Sequence, residues 1–292
     1  MRLKEDIKET EIRVIGSDKK KQHSWLLWLF GALAAVAVGA LCLWRFLQPL
    51  PATDEESGVF ETPIETADKP DPLNSWFSEQ DTITDACIVS KDSIVNDISV
   101  TIILPINSTP HLEIGYHCMK DTIRNLMFLQ AADIRADNKK IVGAFVLQGK
   151  PLSWGLNKKG YCSIIDGKVT IGVADNSPLF EEATEKNGDF FRQYALVDNG
   201  VLVENYQQKN RYIRRSICDI GGHIVVVVSH EPVSMHDFAQ LLVDLGADNA
   251  ISLVGSSEAT TWRRDISGKT TATGFNGKEI YKYISFIVWQ KE

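Results

Sequence analysis

Twenty consecutive uncharged residues, WLLWLFGALAAVAVGALCLW from Trp25 to Trp44, divide this chain into parts that must be read separately. As a helix rising about 1.5 Å per residue the run spans about 30 Å, the thickness of a bilayer's hydrocarbon core. A tryptophan stands at each end, where the two interfaces would lie. A cleaved signal peptide has a shorter apolar region, about 7–15 residues, with small residues after it, whereas Arg45 and bulky side chains follow here. The run therefore predicts a single transmembrane helix over residues 25–48, with the lipid bilayer as the partner of Trp25–Trp44. Lys19, Lys20 and Lys21 precede the run and Asp54, Glu55 and Glu56 are the next charges after Arg45. That bias predicts a cytoplasmic N-terminus and a C-terminal part that is periplasmic or extracellular.

The flanks are polar. Residues 1–24 carry seven basic and five acidic side chains with no periodic apolar face, as a short cytoplasmic tail would. Residues 49–75 hold five prolines, seven acidic residues and one lysine, a composition that stays extended as a linker. Residues 76–292 remain for one extracytoplasmic domain, and a chain of 292 residues with 44% apolar and 24% charged residues has the material for it. The net charge of -7 argues against a nucleic-acid partner.

Within that domain the expected class is α+β, a mixed β-sheet with packed helices. Ile224 to Val228 is a β-branched run that ends in Ser229 and His230, the pattern of a strand covered on both faces. Ser234 with Asp237 three residues on opens a helix whose Phe238, Leu241, Leu242 and Leu245 share one side and whose Gly246 closes it. A second buried strand, Ala250 to Val254, then delivers Gly255, Ser256 and Ser257 to its end, which suggests a strand–helix–strand crossover. Elsewhere Ile98 to Leu104 reads as a strand closed by Pro105, Asp121 to Ala132 as a helix, and Ile141 to Leu147 as a strand. Hairpins are expected around Asp166-Gly167, and between Phe191 to Val197 and Val201 to Glu204 across Asp198-Asn199-Gly200. Glu279 to Trp289 contains a closing strand.

Four cysteines lie beyond the apolar run, Cys87, Cys118, Cys162 and Cys218. The location permits disulfides, but three of the four sit in apolar strand patterns as buried thiols do. Neither their spacing nor that of the histidines forms a metal site, since His223 and His230 stand about 23 Å apart on one strand. No metal and no cofactor is expected.

The order of motifs resembles the phosphodiester glycosidase domain family, over roughly residues 95–262. The resemblance rests on Arg215-Ser216, the strand Ile224 to Ser229, the helix ending in Leu245-Gly246, and Asn249-Ala250-Ile251-Ser252-Leu253 running into Val254-Gly255-Ser256-Ser257. Upstream, Gly149-Lys150-Pro151 and Ile164-Ile165-Asp166-Gly167-Lys168 also fit. It implies an enzyme or a relative of one that engages a glycan or sugar phosphodiester in the cell envelope.

The chain departs from the family pattern at two polar positions. Val254 stands where the family's Leu-Asp-Gly-Gly-Gly-Ser turn has its aspartate, and Val142 where Asn-Gly-Gly-Phe-Phe has its asparagine. Glycoside cleavage ordinarily needs a pair of carboxylates, although a phosphate leaving group departs as an anion that a guanidinium can bind. Arg215, Ser256 and Glu258 are thus the candidate catalytic residues, and Arg214, Gly255, Ser257 and His230 the candidate ligand-binding ones. The amides of residues 255–257 could form an anion nest, and Ser256 as a nucleophile would need His230 as its base. Asp219, Glu231 and Asp248 are further nearby carboxylates, each of which also reads as a solvated surface group. Two readings stay open: a membrane-anchored hydrolase, and a non-catalytic relative that binds a glycan, a sugar phosphate or a protein partner.

Overall fold

The β-branched run around Val226 lies at the centre of a seven-stranded sheet that has a hydrophobic core on each of its faces. The computed structural model describes residues 73–115, 117–121, 123–203, 210–274 and 284–291. The basic tail, the apolar run and the linker up to residue 72 lie outside the described residues, among which no helix is long and apolar enough to cross a membrane.

In chain order the domain begins with α1 (Asn74–Gln80), β1 (Cys87–Val95), β2 (Ile98–Ile106), β3 (Pro110–Ile114), α2 (His117–Lys120) and β4 (Asn125–Gln130). It continues with β5 (Ala144–Leu147), β6 (Lys150–Trp154), β7 (Gly160–Ile165), β8 (Lys168–Val173), α3 (Leu179–Glu185), β9 (Asp189–Gln193), β10 (Ala195–Asp198) and β11 (Val201–Leu202). Then come β12 (Arg215–Ile220), β13 (His223–Ser229), α4 (Met235–Asp244), β14 (Asn249–Ser252), β15 (Thr261–Arg264), β16 (Thr270–Thr273) and β17 (Ser285–Gln290).

Three sheets result: β1-β2-β13-β12-β14-β10-β11, then β16-β15-β4-β17-β3, and β6-β5-β9-β7-β8. Val225 and Val227 join one core with Phe238, Leu241 and Leu242 of α4 and with Trp76 and Phe77 of α1. Val226 points the other way, into a core with Leu129 and Ile287 of the second sheet and Phe145 and Phe191 of the third. The domain is sheet-rich with few helices, the α+β class in its coarse form.

Local signals act as their chemistry dictates. The Ser234 hydroxyl accepts from the Asp237 amide at 3.0 Å, which satisfies one of the free amides of the first turn of α4. At the other end Gly246 takes φ +87°, while its amide donates to Val243 and that of Ala247 to Leu242. This is the paired closure that a left-handed residue after a helix allows. Asp166 and Gly167, both at positive φ, turn β7 into β8 as expected. All four cysteines named above are buried free thiols.

Other expectations are corrected. Residues 121–132 do not form a helix: β4 runs through them as a strand between β15 and β17. Leu126 to Leu129 is a short continuous apolar run, which matches a buried strand as well as a helix face, and Ile123 before it is 82% exposed. Leu126, Met127 and Leu129 enter the main core, whereas Phe128 packs with Trp262 and Phe286 on the opposite side. Strand β2 continues through Pro105 to Ile106, because beyond Ile103 its register is only with β1 and no second neighbour needs the missing N–H. Only residues from Ala144 on form the strand expected from Ile141, which makes an isolated bridge to Ile134 instead. Phe191 and Val197 belong to two strands in different sheets, of which β10 makes the Asn199-Gly200 hairpin with β11. The closing strand is β17, and residues 275–283 lie outside the described residues. Finally β13 and β14 do run in the same direction, but β12 lies between them and pairs antiparallel with both.

The cap geometry sets one expectation. Ser234→Ala should lower the unfolding free energy by about 1 kcal/mol in urea titration with an unchanged slope.

Candidate functional site

The polar ends of β12, β13 and β14 meet where the sequence placed its site, but they face two different cavities. The first, about 390 Å³, is lined by Arg215, Ser257 and His230. Its walls are the facing sheets: Thr101 and Ile103 of β2 and Val228 of β13 on one side, Met127 and Leu129 of β4 with Thr261, Arg263, Thr271 and Thr273 of β15 and β16 on the other. These last residues share one face because Arg263 lies opposite both Met127 and Thr271, and Thr261 opposite Leu129 and Thr273. Among the described residues lining this cavity there is no carboxylate.

Arg215 is 3% exposed. Its Nη1 donates to the carbonyl oxygens of Val254 at 3.1 Å and Ser256 at 2.9 Å, so the guanidinium braces the turn after β14. Its Nε is buried with no hydrogen-bond partner. Burial pulls its pKa down to about 10, which still leaves it cationic at neutral pH. Leaving a buried charged donor without an acceptor costs about 1–3 kcal/mol or more. Arg263 repeats the pattern, since its Nη1 is also buried without a partner, and desolvation lowers its pKa against the opposing influence of Asp92 and Asp265. Sequence reasoning missed Arg263, and the only signal for it was the basic-aromatic cluster Trp262-Arg263-Arg264.

At this cavity His230 Nε2 lies 2.7 Å from Thr101 Oγ1 and 3.7 Å from Asp92 Oδ1, and the threonine hydroxyl is 2.6 Å from the same carboxylate. Arg214 faces elsewhere. Its Nε donates to Val233 O and its Nη2 to Asn210 O, with the guanidinium 5.3 Å from the Tyr212 ring, so it ties segments together rather than meeting a ligand here.

Ser256 and Glu258 line the second cavity, about 280 Å³, with Gln130, Asp133 and Val254. Ser256 and His230 therefore do not meet as nucleophile and base; the Ser256 Oγ accepts instead from the Glu258 amide at 3.2 Å. The anion nest expected from residues 255–257 is not assembled either, because the amide of its central residue Ser256 donates to Ile213 O at 2.9 Å. Gly255 has a packing reason, since a Cβ there would lie 2.6 Å from the Ile213 carbonyl oxygen. Asp219 and Asp248 accept from the amides of Gly222 and Gly221 at the far end of the β12–β13 hairpin, about 13 Å from Arg215 along the strand.

Asp133 of the second cavity has a partner that the sequence did not reveal. Lys158, its side chain 4% exposed, donates to the Asp133 carboxylate and to Gln193 Oε1, and lies 4.6 Å from the Tyr194 ring. Burial lowers the Lys158 pKa, and Asp133 opposes that shift. Val142, the other valine at a polar family position, donates its amide to Asp133 O at 2.8 Å. Both valines thus stand beside Asp133. Among the described residues no group of three His, Cys, Asp or Glu side chains is placed to hold a metal.

Comparison with known proteins agrees with this architecture. The family model described as phosphodiester glycosidase matches residues 129–278, just over half of the chain. A crystal structure of a hypothetical protein from Synechocystis shares the fold with a TM-score of 0.55 at 15% identity, covering 70% of this chain and 62% of that one. This chain therefore spans about three fifths of that structure's length. The zebrafish N-acetylglucosamine-1-phosphodiester alpha-N-acetylglucosaminidase catalytic domain, auto-inhibited by its pro-peptide, gives a TM-score of 0.51 at 13% identity over 71% of this chain and 83% of that one. No curated protein matches the sequence.

The close approach at the turn generates a second expectation. Gly255→Ala should destabilise the domain by about 1–3 kcal/mol in urea unfolding, since the contact is to backbone that cannot rotate away.

Proposed function

Because the chain belongs to the phosphodiester glycosidase family, we propose that its domain recognises a sugar phosphodiester in the cavity beside Arg215 and does not hydrolyse it. The observation that carries this reading is the buried Arg215 guanidinium, cationic and with an unpaired Nε, at a cavity whose described lining offers hydroxyls and cations but no carboxylate. A phosphoryl group suits such a cation, which binds it through charge-assisted hydrogen bonds. The threonine hydroxyls and Ser257 suit sugar hydroxyls, while Ile103 and Leu129 suit a ring's apolar edge. The valines at positions 142 and 254 remove the polar groups that the family pattern offers for turnover.

A hydrolytic reading has one observation in its favour. Asp133, held by the buried Lys158, lines the second cavity together with Val254, where it could stand in for the absent aspartate. One experiment separates the two. Full-length protein in detergent, given a methyl phosphodiester of N-acetylglucosamine, should melt at a higher temperature and release no sugar. Ligand at 100 times its Kd corresponds to about 2.7 kcal/mol of added stability. Arg215→Gln should abolish the shift. Sugar release that disappears in Asp133→Asn would establish hydrolysis instead. A ligand panel that leaves the melting temperature unchanged would sink both readings.

The same arginine gives a pH dependence with a definite sign. Arg215 is charged below a pKa of about 10, so ligand stabilisation should hold from pH 7 to 9 and fall as pH rises past about 10. Binding that persists undiminished at pH 11 would count against Arg215 as the contact.

The domain is carried on a membrane anchor formed by Trp25–Trp44, with its N-terminus in the cytoplasm and the domain outside it. The uncharged run and the lysines before it support this. Full-length protein should sediment with membranes and resist alkaline carbonate, and a chain lacking residues 1–48 should not; a full-length protein found in the soluble fraction would overturn the anchor.

A further inference from the structure

The cavity beside Arg215 has a second cation that a single phosphodiester leaves unmatched. Arg215 begins β12 in the first sheet and Arg263 lies on β15 in the second, so the two guanidinium groups belong to the two facing walls of one cavity. Each has a buried N–H without an acceptor, Nε on Arg215 and Nη1 on Arg263. A lone phosphodiester carries one negative charge and cannot neutralise both walls. Asp92 and Asp265 act on Arg263 electrostatically, but neither gives Nη1 an acceptor. Asp92 is in any case held in hydrogen bonding with Thr101 and is exposed to water.

We infer that the cavity selects a ligand with two linked anionic groups, a diphosphate-linked sugar, with one phosphoryl group at Arg215 and the other at Arg263. Thr271, opposite Arg263 on β16, and Thr261 two residues along β15 add hydroxyl donors on the same face. Guanidinium groups bind phosphoryl oxygens through paired N–H donors, so two of them on opposite walls of one cavity favour two linked phosphoryl groups over one. This inference rests on the anion-binding reading above and narrows the ligand it takes.

The test is calorimetric titration of the full-length protein in detergent with pyrophosphate and with orthophosphate, at one ionic strength. Pyrophosphate should bind at least tenfold more tightly than orthophosphate. Arg263→Gln should bring the two within about twofold and leave orthophosphate unaffected, Arg263→Lys should retain part of the preference, and Arg215→Gln should lose both ions. Lys91→Gln, an exposed charge removed from β1, controls for bulk electrostatics and should change nothing. Equal affinities in the unaltered protein would overturn the inference, as would Arg263→Gln weakening both ions by one factor, or Lys91→Gln matching its effect. If neither ion binds at millimolar concentration, the anion-binding reading itself fails and this inference with it.

Discussion

Burial of one sheet on both faces is the constraint from which the rest of this domain follows. Val225, Val226 and Val227 are all inaccessible, and their side chains divide alternately between a core under α4 and a core under the other two sheets. Strands covered in this way leave no side of the sheet for polar chemistry, so polar side chains collect at strand ends. Arg215, Ser229 and the turn after Ser252 are those ends. The Arg215 guanidinium binds the carbonyls of that turn, so the residue that lines the cavity also braces the turn beside it.

Two neighbouring cavities divide functions that a phosphodiester glycosidase would be expected to combine. Cations and hydroxyls line the cavity between β2 and β15, whereas carboxylates and the two valines cluster near Asp133. Replacing aspartate by Val254 removes charge from the second group without disturbing the first, because Arg215 contacts the backbone carbonyl of residue 254 and not its side chain. The bracing of the turn by Arg215 is thus independent of the side chain at position 254.

Signals confined to a few adjacent residues were legible in the sequence: Ser234 with Asp237, Gly246, Asp166 with Gly167, and the run to Val228. Each depends on chemistry that its own neighbours complete. The strand at β4 was misread because LMFL satisfies a helix face and a two-sided strand alike, and what decides is pairing with Trp262 and Ile287, over 130 residues away in sequence. Arg215, Ser257 and His230, each at the end of a recognisable strand or turn, line one cavity. Arg263 and the Lys158–Asp133 pair escaped because what surrounds them comes from segments distant in sequence, and Ser256, which as a nucleophile needs a histidine, is directed by its turn to the other cavity. The anchor expected at Trp25–Trp44 rests on composition alone, and those residues lie outside the described ones.

The position of β17 has a kinetic consequence. It is the strand between β4 and β3, and its residues 285–290 pair with residues 110–114 and 125–130. Likewise β2 pairs with β13 across more than a hundred residues. Pairings so distant in sequence must close large loops before they return any stability, which places a domain like this among slow folders. During synthesis the wall that carries Arg263 cannot be completed until Ser285–Gln290 has emerged, so β4 waits with one edge open. The cavity between the two sheets is therefore among the last features the nascent domain completes.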